Sequence, residues 1–176
     1  MKKIFLFLTA VSLLTGCSGI KVSSDYDRDA NFTAYKTYAF TKEASELPID
    51  DINRRRIMDA VSTELTSKGF SKSDQPDVWI DLKLKAEQKQ SATSSSTPYG
   101  AGYGYRWGGG FSTTTINVEN YVEGTLFVDM IDVSKKQLVW QGRATKTIDP
   151  DSKTKDREYA ITQAVKQVFM QYPPKK

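Results

Sequence analysis

The chain opens on an apolar run, residues 4–14, broken only by Thr9 and Ser12. Lys2 and Lys3 precede it and small residues follow it, the layout of a secretory signal. The run is too short to cross a membrane as a helix, which takes roughly 20 apolar residues. Ile20-Lys21-Val22 reads as the start of a strand, and residues 25–31 are polar and turn-like. Residues 32–40 predict a strand rich in aromatics and threonine, with Tyr35, Thr37 and Ala39 alternating with Lys36, Tyr38 and Phe40. Aromatic groups on both sides predict burial on both faces. Residues 41–51 then read as a loop around Pro48.

Helical spacing begins after that loop. Ile57, Val61 and Leu65 recur at i+4, with Asp50 or Asp51 placed to cap the first turn. Gly69 stands where the left-handed residue of a helix stop belongs, and Phe70 follows it, facing back towards Leu65. A period of two takes over at Pro76-Asp77. Val78, Ile80, Leu82, Leu84 and Ala86 alternate with Trp79, Asp81, Lys83, Lys85 and Glu87, as in a sheet with one face in a core and one in water.

Residues 88–115 break the alternation. A Ser/Thr run gives way to a Gly/aromatic run, a composition that predicts a long loop between two strands. Ile116, Val118, Val122, Leu126, Val128 and Met130 then share one strand face, and Gly124 marks a bulge or a close approach. Residues 132–136 form a hairpin loop. Leu138, Trp140, Ala144 and Ile148 share one face of the returning strand. A second helix over residues 154–172 carries the stripe Ile161, Ala164, Val165, Val168, Phe169 and Tyr172, and Pro173-Pro174 stops it.

The order β-α-β-loop-β-β-α predicts an α+β fold. It is a single antiparallel or mixed sheet of four to five strands with two amphipathic helices packed on one face. The expected organisation is a signal over 1–16, a tether over 17–21 and one domain over 22–172 that carries the loop 88–115. A tail follows over 173–176.

Composition narrows the chemistry. The chain has no histidine and one cysteine. That excludes Ser-His-Asp and Cys-His nucleophiles, His/Cys metal sites and internal disulfides. The net charge is +4, to which the signal's Lys2 and Lys3 contribute. Apart from Arg54-Arg55-Arg56 the basic residues are scattered, so no nucleic-acid partner is expected. The arginine run, set in the first turns of a helix, reads as a solvated face, with an anion or lipid-headgroup contact as its sharper alternative.

Two groups are candidates for chemistry. Arg106 stands among Tyr99, Tyr103, Tyr105, Trp107 and Phe111. Aromatic rings stack on sugars or enter a lipid interface, and arginine pairs with phosphate or carboxylate. Tyr103, Tyr105, Arg106 and Trp107 are therefore the expected contact to a ligand or partner. Gly102-x-Gly104 is no dinucleotide fingerprint, because Trp107 takes the place of the third glycine. The second group is Asp81, Glu119, Glu123, Asp129 and Asp132, carboxylates that paired in a cleft could bind calcium or hydrolyse glycosides. No loop has EF-hand spacing, and a charged solvent face accounts for them. Neither cofactor nor metal is expected.

Leu14-Thr15-Gly16-Cys17 resembles the lipobox of bacterial lipoproteins. The resemblance implies cleavage between Gly16 and Cys17, and acylation of Cys17 by membrane lipid with palmitate-type chains. Ser18, where an aspartate would favour retention at the inner membrane, implies the outer membrane, with the domain in the periplasm. The rest of the chain resembles DUF 4136, a family of envelope lipoproteins. The matching residues are Asp25-Tyr26-Asp27, the Phe32-Thr33-Ala34-Tyr35 segment, Lys68-Gly69-Phe70, Pro76-Asp77-Val78, Gly124-Thr125-Leu126-Phe127 and Val139-Trp140-Gln141-Gly142. That family has no established activity. The expectation is a non-catalytic binding or scaffolding module whose partner is an envelope protein, a glycan or a lipid headgroup. The alternatives are a carboxylate-dependent hydrolase of envelope glycans and a lipid-surface structural protein.

Overall fold

The computed structural model describes residues 19–98, 112–149 and 151–174. Its elements are β1 (Lys21–Tyr26), β2 (Thr37–Phe40), α1 (Lys42–Ser45), α2 (Asp51–Ser67), β3 (Ser71–Lys72), β4 (Val78–Pro98), β5 (Ser112–Asp132), β6 (Gln137–Ile148) and α3 (Thr154–Phe169). The strands form one six-stranded sheet in the order β1-β6-β5-β4-β2-β3. It is mixed: β2 runs parallel to β3 and β4, and the other pairs are antiparallel.

Six strands and three helices replace the expected four to five strands and two helices. The additions are the elements with the weakest local signal. β3 is two residues long and is fixed only by pairing with β2. α1 is a single turn nucleated by Thr41, whose hydroxyl accepts from Ala44 N at 3.1 Å. β1 extends through Ser23-Ser24 to Tyr26 because β6 offers it a six-residue antiparallel edge. Lys21 therefore belongs to the sheet and not to the tether. Conversely, only residues 37–40 of the expected strand 32–40 are extended. Phe32 and Tyr35 are buried from a turn, packed edge-on to each other at 6.3 Å.

The loop expected over 88–115 is mostly strand. β4 continues to Pro98 and β5 begins at Ser112, pairing without a break from Val78↔Asp132 to Pro98↔Ser112. Ser/Thr-rich sequence carries no hydrophobic alternation, so only the partner strand makes it extended.

The core lies between one sheet face and the two long helices. Ile80, Leu82, Leu126, Val128, Met130 and Trp140 meet Ile57, Val61 and Leu65 of α2 and Val165, Val168 and Phe169 of α3. Asp50 caps α2 by accepting from Asn53 N at 3.0 Å. α2 stops in a Schellman motif: Phe70 N donates to Leu65 O, Gly69 N donates to Thr66 O, and Gly69 sits at φ 86°.

The expected face of β6 is half right. Trp140 and Ala144 are buried, but Leu138 is 48% exposed and Val139 is fully buried. A register shift opposite Met130/Ile131 inserts an extra residue and inverts the parity there. The carbonyl of Val139 accepts from Asp27 N at 2.9 Å, tying the turn after β1 to this bulge. Gly124 is a close approach, not a bulge: a Cβ there would stand 2.7 Å from Ile148 Cδ1.

Gly142 is the tightest glycine. A Cβ would come within 2.5 Å of Trp140 Cη2 and closer still to Val168. Gly142→Ala is expected to cost about 1–3 kcal/mol, read as a lower urea midpoint at unchanged slope.

Candidate functional site

The topology brings three features to one end of the sheet. β2, β4 and β6 run towards that end, whereas β1 and β5 run away from it. α2 and α3 both begin there. α3 starts six residues beyond the last residue of β6 (148 to 154), and residues 49 and 53, at the start of α2, share one cavity with it. The cavity is an apolar cleft of about 540 Å³ between the first turns of both helices and the sheet. Ile57, Leu84, Leu126, Ile148, Ile161 and Ala164 supply its walls, and Lys146, Asp149, Asp156 and Arg157 also border it. The volume suits a small ligand or an inserted side-chain cluster. Sequence reading assigned Ile161, Ala164 and Leu126 to the core. It missed the cleft because the space depends on how far α2 and α3 splay.

The carboxylates group differently from expectation. Asp81 and Asp129 are register partners on β4 and β5, on the sheet face away from the cleft. Lys83 Nζ lies 2.9 Å from Asp81 Oδ2 and 2.7 Å from Asp129 Oδ2. Thr41 Oγ1 donates to Asp81 at 2.7 Å, and Gln141 Nε2 donates to Asp129 at 2.7 Å. Burial opposes the charge of Asp81, but the bonds from Lys83 and Thr41 outweigh it and hold its carboxyl below the usual range. Hydrogen bonds from Lys83 to Asp129 and Asp81 push the lysine up. Asp132 stands apart. Burial opposes its charge too, but bonds from Ser134, Lys135 N and the Tyr35 hydroxyl bring it down to about 2. Glu123 lies 3.9 Å from both Lys21 and Lys89, and Glu119 is exposed further out on β5.

Asp77, which sequence reading used only as a strand start, is a structural clamp. Its Oδ2 accepts from Lys36 N, Thr37 N and Thr37 Oγ1, each at 2.8 Å, locking β2 to the beginning of β4. Two of the three arginines are partnered, which corrects the reading of a solvated face. Arg54 pairs with Asp51, and Arg56 bonds Asn53 Oδ1 at 3.0 Å and approaches Glu158 at 3.6 Å. Gly16, Cys17, Tyr99, Tyr103, Tyr105, Arg106, Trp107 and Phe111 lie outside the described residues. Among the described residues no group of His, Cys, Asp and Glu could hold a metal ion, and no helix is long and apolar enough to cross a membrane.

The model of a family described as a domain of unknown function, DUF4136, matches residues 22–174. The chain belongs to the DUF4136 family. Residues 1–18 match a prokaryotic membrane lipoprotein lipid attachment site, so this DUF4136 chain is a lipoprotein, anchored to a membrane through an acylated cysteine. Cys17 is its only cysteine. No curated protein matches the chain. Among solved structures, a PDZ domain protein from Parabacteroides distasonis is similar at 21% identity and a TM-score of 0.54. That match covers 89% of the DUF4136 chain, which spans 37% of the other protein. A PelC dodecamer from Paraburkholderia phytofirmans is similar at 12% identity and a TM-score of 0.51, over 89% of this chain and 99% of that one. At these identities the likeness is one of fold.

Lys83→Met leaves two buried carboxylates without their cation. The expected loss is about 1–3 kcal/mol, less than for a fully buried pair because the Lys83 side chain is 60% exposed. Unchanged stability in urea would mean that Thr41 and Gln141 suffice. The depressed Asp132 has the opposite pH signature to a group with a raised pKa. Its contribution is complete above the ordinary carboxyl value of 3.8 and is lost as the pH falls towards about 2. Asp132→Asn should therefore destabilise at pH 7, and the gap to wild type should close over that acid window in thermal melts.

Proposed function

We propose that this DUF4136 lipoprotein is a non-catalytic binding or scaffolding module, anchored in the outer membrane with its domain in the periplasm. Ser18 after the acylated cysteine supports the outer membrane through its resemblance to sorting signals. The apolar cleft carries the binding reading. Its walls are aliphatic, whereas Lys146, Asp149, Asp156 and Arg157 offer polar groups to the end of a bound amphipathic group. Tyr103, Tyr105, Arg106 and Trp107 supply a second contact, to an envelope protein, a glycan or a lipid headgroup.

The alternative, a carboxylate hydrolase of envelope glycans, needs a general acid with a raised pKa beside a second carboxylate in a cleft. Asp81 has a lowered pKa, shares Lys83 with Asp129, and lies on the sheet face away from the cleft. The non-catalytic reading is the better supported.

An apolar fluorescent probe should bind the wild-type cleft with a blue-shifted emission. Ala164→Trp, which fills the space, should weaken that binding about tenfold while leaving the far-ultraviolet circular dichroism unchanged. Equal binding by a folded Ala164→Trp protein would remove the cleft from the proposal. For the anchor, Cys17→Ser should end acyl labelling and release the domain from the membrane fraction.

A further inference from the structure

We infer that the outer half of the β4–β5 hairpin is a membrane-contacting arm. Its apolar face lies on the headgroup–acyl boundary beside the lipid anchor. The inference rests on the anchoring of Cys17.

The anchor fixes which end of the molecule meets the bilayer. β1 starts at Lys21, which pairs with Thr145 of β6; Thr145 pairs with Thr125 of β5, and Thr125 with Lys85 of β4. Lys21 is thus level with Lys85, and the chain ahead of it leaves towards the end at which β4 and β5 continue. From Cys17 to Lys21 the backbone spans at most about 14 Å. From Lys85 to Pro98 the hairpin extends about 44 Å along the strand. An arm three times longer than the tether leaves the domain from the end tied to the membrane.

The arm has two unlike faces. One continues the core row as a stripe on β5: beyond Leu126 come Val122, Val118 and Ile116, exposed by 39%, 57% and 65%, interrupted by Asn120 and opposite Gln88, Ala92 and Ser94 of β4, with Ile148 of β6 beside Val122 at 46%. The other face carries Glu87, Lys89, Glu119 and Glu123, and Lys89 lies 3.2 Å from Glu87. Further out the charges stop, and residues 90–98 and 112–118 contain none. Among the described residues no helix or strand covers this outer part. β6 ends opposite Val122 and β2 opposite Ile80, so no described strand pairs with either arm edge beyond them.

These properties select one resting place. A two-stranded ribbon with open edges cannot cross hydrocarbon, because its outer N–H and C=O groups would go unpaired there. In water, a lone hairpin with an apolar stripe is only marginally stable. The interfacial zone meets both needs: it hydrates the edges and takes up the stripe. The bilayer is the occupant because the acylated cysteine brings it within tether length of this end and no other.

The test uses the full lipidated protein, whose acylated Cys17 leaves no free thiol. Single cysteines at Ile116, Val118, Asn117 and Lys135 are labelled with an environment-sensitive dye. Each protein is reconstituted in vesicles of phosphatidylethanolamine and phosphatidylglycerol. Labels at 116 and 118 should be blue-shifted and quenched by about half or more by a shallow lipid-borne nitroxide, with those at 117 and 135 quenched several-fold less. If the protein floats with vesicles but labels at 116 and 118 behave like that at 135, the arm inference is wrong and the anchor stands. Failure to float with vesicles would overturn both. Blue-shifted labels that resist lipid nitroxide but respond to protein density would assign the stripe to a second copy and overturn the inference.

Discussion

The β4–β5 ladder is the pairing on which the rest of the molecule depends. Its first half, from Val78↔Asp132 to Leu84↔Leu126, carries the apolar row that α2 and α3 cover. Every other strand reaches the core through it, β6 and β1 on one side and β2 and β3 on the other. Its second half has the same register and no cover among the described residues. One uninterrupted antiparallel pairing thus changes role along its length, from the middle of a sheet to a free ribbon. The change occurs near Gly124, where the missing Cβ lets Ile148 close over the sheet.

Electrostatics reinforces that frame. Asp77 ties β2 to β4, Asp132 ties the residue-35 turn to the end of β5, and the Asp81–Lys83–Asp129 set ties β4 to β5. The donors around Asp77, Asp81 and Asp132 favour their ionised forms. Asp81 and Asp132 keep low pKa values despite their burial. Such groups specify how strands and turns meet, at a desolvation cost that their hydrogen bonds offset.

Much of this was legible in the sequence where local signals and tertiary packing agree. The stop of α2 at Gly69-Phe70, the alternation of β4 from Val78 to Leu84 and the stripe of α3 all follow from short-range spacing. Three features were not legible, each for a physical reason. β3, and the extension of β1 beyond Val22, exist through pairing with a neighbour. The parity of β6 depends on a bulge opposite Met130/Ile131 that no single residue marks. The outer hairpin has a serine- and threonine-rich composition shared by loops, and only its register with the partner strand makes it β. The sequence shows Asp81 and Asp129 only as members of a group of acidic positions, and their pairing needed the strand register. The cleft depends on interhelical spacing, which a sequence period does not encode.

β1 is both the edge of the sheet and the strand nearest the anchor in the chain. Tension between the membrane and the domain therefore enters along the axis of β1, parallel to the strand and perpendicular to its hydrogen bonds with β6. Loaded that way, the six residue pairs from Lys21↔Thr145 to Tyr26↔Trp140 resist together in shear and do not peel apart one at a time. The bond from Asp27 N to Val139 O secures the far end of that strand. The strand nearest the lipid anchor is thus held by a pairing that a pull along the chain loads in shear.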